Sequence, residues 1–85
     1  MRYTVELNPS AQRDLARLES SISFRTTFKL RQLEGDPRPH GCVKMTGEER
    51  QYRVRVGEYR IVYEVDDRTR LVSVKRIQHR REVYR

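Results

Sequence analysis

A single cysteine, Cys42, is all that this 85-residue chain carries. No intramolecular disulfide can form, and with no CxxC and no Cys/His cluster at metal spacing, structural zinc is not expected. A reducing compartment suits such a chain. The segment from Met1 to Leu7 lacks the apolar core of a secretion signal, and no apolar run approaches the roughly 18 residues of a membrane span. These absences make a soluble, cytoplasmic protein the expectation, with no membrane partner and no small-molecule cofactor. No repeat, low-complexity tract or linker interrupts the sequence. A chain this short is expected to form one domain over residues 1–85 and to bury only about 60 to 65% of its unfolded surface.

Acidic residues are also in deficit. Nineteen Lys and Arg face twelve Asp and Glu, a formal net charge of +7, which concentrates anions nearby and favours nucleic acid or an acidic protein as partner. Most of that positive charge is arginine. Its planar fork grips phosphate and carboxylate at two points and keeps its proton at any ordinary pH.

What the chain does have is pattern. Tyr3, Val5 and Leu7 alternate with Arg2, Thr4 and Glu6, the period of a half-buried strand. Asn8 before Pro9 predicts an N-cap with proline at the first helical position, and Ala11, Leu15 and Leu18 continue as one apolar stripe to about Glu19. Ser20 and Ser21 offer a second cap, and a second helix is expected from Ile22 to about Glu34, closed by Gly35, Asp36 and Pro37. Its faces differ: Ile22, Leu30 and Leu33 cluster on one, Phe24 and Phe28 on the other. The first expectation for these phenylalanines is packing against the first helix; the alternative is a docking groove for a partner helix. Residues 37–41 read as a stiff loop with His40 on the surface. Cys42 to Met45 can add a short extended piece before the turn at 46–49.

The most informative stretch is residues 52–63, Tyr-Arg-Val-Arg-Val-Gly-Glu-Tyr-Arg-Ile-Val-Tyr. With Gly57-Glu58 as a two-residue II′ turn, Val56 faces Tyr59, Arg55 faces Arg60, Val54 faces Ile61 and Tyr52 faces Tyr63. Two arginines then sit directly opposite each other, which costs something within about 0.2 to 1 kcal/mol. A fold with no use for that pairing tends to avoid it, so an anion is expected there. A polar turn at 66–70 leads to a last strand from Leu71 to Ile77, with Val72 and Val74 facing the core. If Val65 pairs with Val72, Lys75 lies on the outer face beside Val62, and the outer row becomes Arg53, Arg55, Arg60 and Lys75. The order β-α-α-β-β-β predicts an α+β domain with a helical hairpin packed on a twisted antiparallel sheet.

Residues 8–15 (Asn-Pro-Ser-Ala-Gln-Arg-Asp-Leu), the hairpin at 52–63 and the closing His-Arg-Arg-Glu-Val-Tyr-Arg at 79–85 together resemble the RelE/ParE superfamily of bacterial toxins, its RelE branch in particular. The likeness spans essentially the whole chain and implies a RelE-like, microbial-RNase-like fold. It implies an antitoxin partner, expected to be acidic and to carry an amphipathic helix. RelE-like members cut messenger RNA in the ribosomal A site without a metal, in contact with 16S rRNA, whereas ParE-like members poison DNA gyrase with no chemistry of their own. Carried over residue by residue, the RNA-cutting positions are Arg53 and Arg55 on the first hairpin strand, Arg60 in the Gly-x-Tyr-Arg motif, Arg80 after the last strand and Tyr84 near the end. Lys44, Lys75 and Arg81 are the expected further RNA contacts. In well-known RelE toxins the first two positions are lysines; here they are arginines.

That departure bears on mechanism. Cutting RNA by attack of the 2′-hydroxyl needs a base, a charge cradle for the pentacoordinate phosphorane and an acid for the leaving 5′-oxygen, the proton transfers being worth about 10² to 10⁴-fold in rate. Arg55 and Arg60, with Arg53 and Arg80 nearby, suit the cradle. Arginine is a poor base, since its pKa exceeds about 12. His79 is the residue type that titrates near neutrality and is the candidate base or acid; Tyr84 can stack on a nucleotide or donate a proton.

Overall fold

The computed structural model describes residues 2–45, 47 and 50–83, with the backbone alone for Glu82 and Val83. In chain order the elements are β1 (Thr4–Leu7), α1 (Pro9–Ala16), α2 (Ser20–Gly35), β2 (Val43–Lys44), β3 (Gln51–Val56), β4 (Tyr59–Asp66), β5 (Leu71–His79) and a short α3 (Arg80–Val83). The strands form one sheet in the order β1-β5-β4-β3-β2. α1 packs chiefly on β5, and α2 lies against β1 and β3.

The α+β reading, helices on one face of a sheet, holds. Its sheet is mixed rather than wholly antiparallel, because β1 runs parallel to β5 with Val5 opposite Val72 and Leu7 opposite Val74. Period-two alternation marks a strand but carries no information about its neighbour or direction. Two helices, not a hairpin, separate β1 from the meander, so nothing local obliges it to pair antiparallel.

Helix boundaries differ from the expected ones for local reasons. α1 closes at Ala16, short of Glu19, because the Arg17 and Leu18 N–H groups turn back to the Asp14 and Leu15 carbonyls. Asn8 does take the extended N-cap position before Pro9, although its side chain makes no cap bond; its carbonyl accepts the Gln12 N–H at 2.9 Å. Glu19, not Ser20 or Ser21, caps α2, and Ser20 is its first residue.

The hairpin register is the one the sequence predicts: Val56 opposite Tyr59, Arg55 opposite Arg60, Val54 opposite Ile61, Tyr52 opposite Tyr63. Gly57 has φ +58 while Glu58 keeps a negative φ, the combination of a II′ turn. Val65 pairs with Val72 as expected, but a bulge between Val62 and Tyr63 shifts the register of the rest of the strand. Val62 pairs with Arg76, and Lys75 becomes the extra residue of β5 instead of Val62's partner.

Leu30 and Leu33 of α2 and Ala11 of α1 meet Val54, Val56, Ile61, Tyr63, Val65, Val72, Val74 and Ile77 in one core. Val62 is also buried yet lies outside that cluster. Its cross-strand neighbours are Arg53 and Arg76, whose aliphatic stems can shield it from water. Phe24 and Phe28 do not pack on α1; they are 76% and 59% exposed. α1 has only eight residues and sits over β5, so it offers that face of α2 nothing to bury against. Among the described residues no helix is long and apolar enough to cross a membrane.

Candidate nucleic-acid interface

Strand alternation divides the sheet's side chains cleanly. Val54 and Val56 turn toward the helices, so Arg53 and Arg55 turn the other way, as does Arg60 opposite Arg55. Arg60 in turn pairs with Gln78 of β5. The open face therefore carries a row Arg55–Arg60–Gln78 across three strands, with Val43–Arg53–Val62–Arg76 beside it. Arg55 is exposed and its Nε donates to the Gly57 carbonyl at 3.0 Å, which folds the side chain back toward the hairpin tip. Arg53 and Arg60 are half-buried. Directly opposed residues hold their Cβ atoms about 4.5 to 5.5 Å apart, a spacing at which two guanidinium groups can share one phosphate.

Arg80 starts α3 beside this row. Its backbone N–H donates to the Glu58 carbonyl at 2.7 Å and its guanidinium meets the Glu58 carboxylate at 3.4 Å. Glu58 is thus the residue that sequence reading missed: the turn chemistry marked it as a loop position, and only the fold places it under Arg80. His79 pairs with Tyr59, which shares a side of the sheet with Val56, so register sets it on the opposite side from Arg55 and Arg60. Its ring meets Tyr59 edge-on at 5.2 Å, and Nδ1 accepts the Arg81 N–H at 3.3 Å, leaving Nε2 to carry the proton of the neutral ring. Glu58, His79, Arg80 and Arg81 line a shallow cavity of about 700 Å³ at this end of the sheet. Tyr84 lies outside the described residues.

The further expected contacts are dispersed. Lys44 is exposed on β2 opposite Tyr52, on the helix side, and Lys75 is half-buried at the bulge. Arg81 is exposed in α3. Arg76 is engaged elsewhere: its Nε reaches Asp14 at 2.7 Å, and the same carboxylate accepts the Ile77 N–H at 2.9 Å. Burial alone would raise the Asp14 carboxyl, but the hydrogen bonds from Arg76 and Ile77, with the charges of Arg76 and Arg17, hold it below the usual range. No group of three or more His, Cys, Asp or Glu with metal-holding geometry occurs among the described residues.

Residues 5–84 match the family model described as ParE toxin of type II toxin-antitoxin system, parDE. Toxin RelG of Mycobacterium tuberculosis is 31% identical over 86 residues, covering 100% of this chain and 99% of that protein. Among solved structures, a chain of the Mycobacterium tuberculosis toxin-antitoxin complex RelBE2 superposes with TM-score 0.82 at 27% identity, over 93% of this chain and 99% of that one. A chain of the archaeal RelE-RelB complex of Pyrococcus horikoshii gives 0.84 at 25% identity, over 94% and 97%. The isolated E. coli RelE toxin gives 0.81 at 27%, over 96% and 90%. Sequence and fold agree across the whole length: the chain belongs to the RelE/ParE superfamily and is a toxin of a type II toxin-antitoxin system.

Proposed function

We propose that this toxin is a ribosome-dependent endoribonuclease that cuts messenger RNA in the A site and arrests translation, and that an acidic antitoxin restrains it in the cytoplasm. The observation that supports it best is the opposition of Arg55 and Arg60 on the face away from the helices. In this reading the RNA 2′-oxygen loses its proton and bonds to the adjacent phosphorus. Arg55 and Arg60 bind the equatorial oxygens of the phosphorane, with Arg53 and Arg80 at the margins, and grip that charge more tightly than the ground-state phosphate. The bond from phosphorus to the 5′-oxygen then breaks as that oxygen takes a proton, leaving a 2′,3′-cyclic phosphate and a 5′-hydroxyl.

Tyr84 is the residue we assign to proton transfer, through the resemblance alone; His79 lies on the side of the sheet opposite Arg55 and Arg60 and is not assigned to the phosphate they bind. The ribosome presents the strand and supplies geometry that so small a protein lacks; Lys44, Lys75 and Arg81 would touch its RNA. Purified protein added to programmed ribosomes is expected to leave cyclic-phosphate ends at A-site codons, and Arg60→Ala cutting at the wild-type rate would sink the role given to that residue. The alternative is a gyrase inhibitor without chemistry, which the match to the ParE family model favours. Induction in cells separates the two: cleaved messages and arrested translation support the nuclease, broken chromosomes the gyrase inhibitor.

A further inference from the structure

We infer that Glu64 and Gln51, side by side on the open face of the sheet, form a subsite that selects a guanine base in the RNA strand whose phosphate Arg55 and Arg60 bind. This rests on the RNA reading above and names a feature of the substrate that the same face takes.

Three rows of side chains cross that face. Two are cationic, Arg55–Arg60–Gln78 and Arg53–Val62–Arg76. Tyr63 and Val65 turn into the core, so Glu64 turns the other way, and the register sets it between Gln51 of β3 and Ser73 of β5, with Glu6 of β1 beyond Ser73. This third row contains no cation. It lies four residues along β4 from Arg60, about 13 Å at a rise of about 3.3 Å per residue.

Four carboxylates are half-buried among the described residues, and three of them, Asp14, Glu34 and Asp66, meet an arginine at 2.7, 3.0 and 3.6 Å. The fourth is Glu64. It makes no ion pair or hydrogen bond among the described residues, although Lys75 stands at the bulge between the second and third rows and the chain carries +7. A charge held partly out of water without a partner works against folding, which marks a position kept for a ligand.

A carboxylate on this face repels RNA phosphates, so what meets it is a base edge that carries hydrogen donors. Guanine fits. Its Watson–Crick edge presents N1–H and N2–H side by side for the two carboxylate oxygens, and the neighbouring O6 accepts an N–H of the Gln51 amide. Adenine and cytosine each set one amine beside an acceptor nitrogen, and uracil sets its one N–H between two carbonyls; all three turn an acceptor toward the carboxylate. The row between holds Val62 and the exposed Val43, an apolar floor for the sugar and base that join the bound phosphate to that edge. A cationic protein segment would also answer Glu64, but it would have to lie against the two arginine rows of the same face.

The test uses the full chain and short labelled uridine RNAs that hold one central guanosine, inosine or adenosine. Inosine keeps N1–H and O6 and lacks only the N2 amine. Wild-type protein is expected to bind the guanosine RNA about tenfold more tightly than the inosine RNA, and the adenosine RNA more weakly still. Glu64→Gln should bring the three affinities within about twofold of one another, with circular dichroism unchanged. Gln51→Ala should weaken guanosine binding by about threefold and keep guanosine ahead of inosine.

Wild-type affinities for the three RNAs within about twofold overturn the inference, as does a guanosine preference that survives Glu64→Gln. If that variant binds every RNA more tightly by one factor, Glu64 only repels phosphate; if it loses antitoxin binding with the base preference intact, Glu64 is a protein contact. Either result overturns the inference. The nuclease reading fails separately, when programmed ribosomes keep their messages intact while guanosine is still preferred in binding.

Discussion

At the end of the sheet that carries the β4–β5 turn, Arg38 donates to both oxygens of Asp67 at 3.2 and 2.7 Å and to the Tyr52 hydroxyl at 3.0 Å, and it lies over the Tyr52 ring. Tyr3 adds a 2.6 Å hydrogen bond to the same carboxylate, and the buried Tyr63 hydroxyl donates to the Pro37 carbonyl at 2.7 Å. At the other end, by the β3–β4 turn, arginine faces arginine. One end answers each polar group and closes the fold. The other sets two like charges side by side, against the stability of the folded chain. Where a local rule is broken without structural gain, function is the usual reason.

The comparison breaks most sharply by removing the opposed pair. Arg55→Ala with Arg60→Ala should lower A-site cleavage by about 10² to 10³-fold, the scale for losing a positioned charge at a transition state. The melting temperature should hold or rise slightly, since about 0.2 to 1 kcal/mol of like-charge repulsion leaves with them. A large drop in melting temperature would mean that the pair is structural after all.

A smaller effect is expected at Glu58, which holds Arg80 by a partly exposed ion pair while its carbonyl holds the Arg80 backbone. Glu58→Gln should slow cleavage by less than about tenfold, the backbone bond still positioning Arg80. Single-turnover rates on programmed ribosomes would show it, and a loss as large as that of Arg60→Ala would contradict a merely orienting role. At the opposite end, Tyr63→Phe leaves the Pro37 carbonyl without its donor and should cost about 1 kcal/mol in denaturant unfolding, with the cleavage rate per folded molecule unchanged.

The smallest effects are on pH. Hydrogen bonds from Arg38 and then Tyr3, with the charges of Arg38 and Arg70, hold Asp67 below the usual carboxylate range. A depressed carboxyl stabilises above its unfolded pKa and ceases to as pH falls through the folded one, so this contribution is complete above about pH 4 and fades on acidification. Its hydrogen bond to Asp67 raises Tyr3, which therefore stabilises below about pH 10 and loses that effect on further alkalinisation. Asp67→Asn should narrow the stability difference between pH 6 and pH 3. Parallel melting curves of the two proteins across that range would locate the acid sensitivity elsewhere, with Asp14 the next residue to test.

The arginine row was legible before any fold because strand alternation and a two-residue turn are local. Gly57-Glu58 fixes the register, and register fixes that Arg55 meets Arg60. His79 was not placed by the same means, since its face depends on how β5 runs past β4 through a bulge that no local pattern announces. Phe24 and Phe28 were legible as a second apolar stripe, but what would cover them depended on where α1 came to rest. The bond from Arg80 to Glu58 was illegible for the same reason, being made between residues 22 apart in sequence.

By itself, then, the sequence determined the principal strands, the two helices α1 and α2, the hairpin register, the excess of cations and the family likeness, because each arises from neighbours along the chain. Only the tertiary structure decided that β1 runs parallel to β5, that Lys75 yields its place opposite Val62 to Arg76, and that the phenylalanine ledge is exposed beside Arg55. Those outcomes are settled by packing between distant segments, where no local propensity acts.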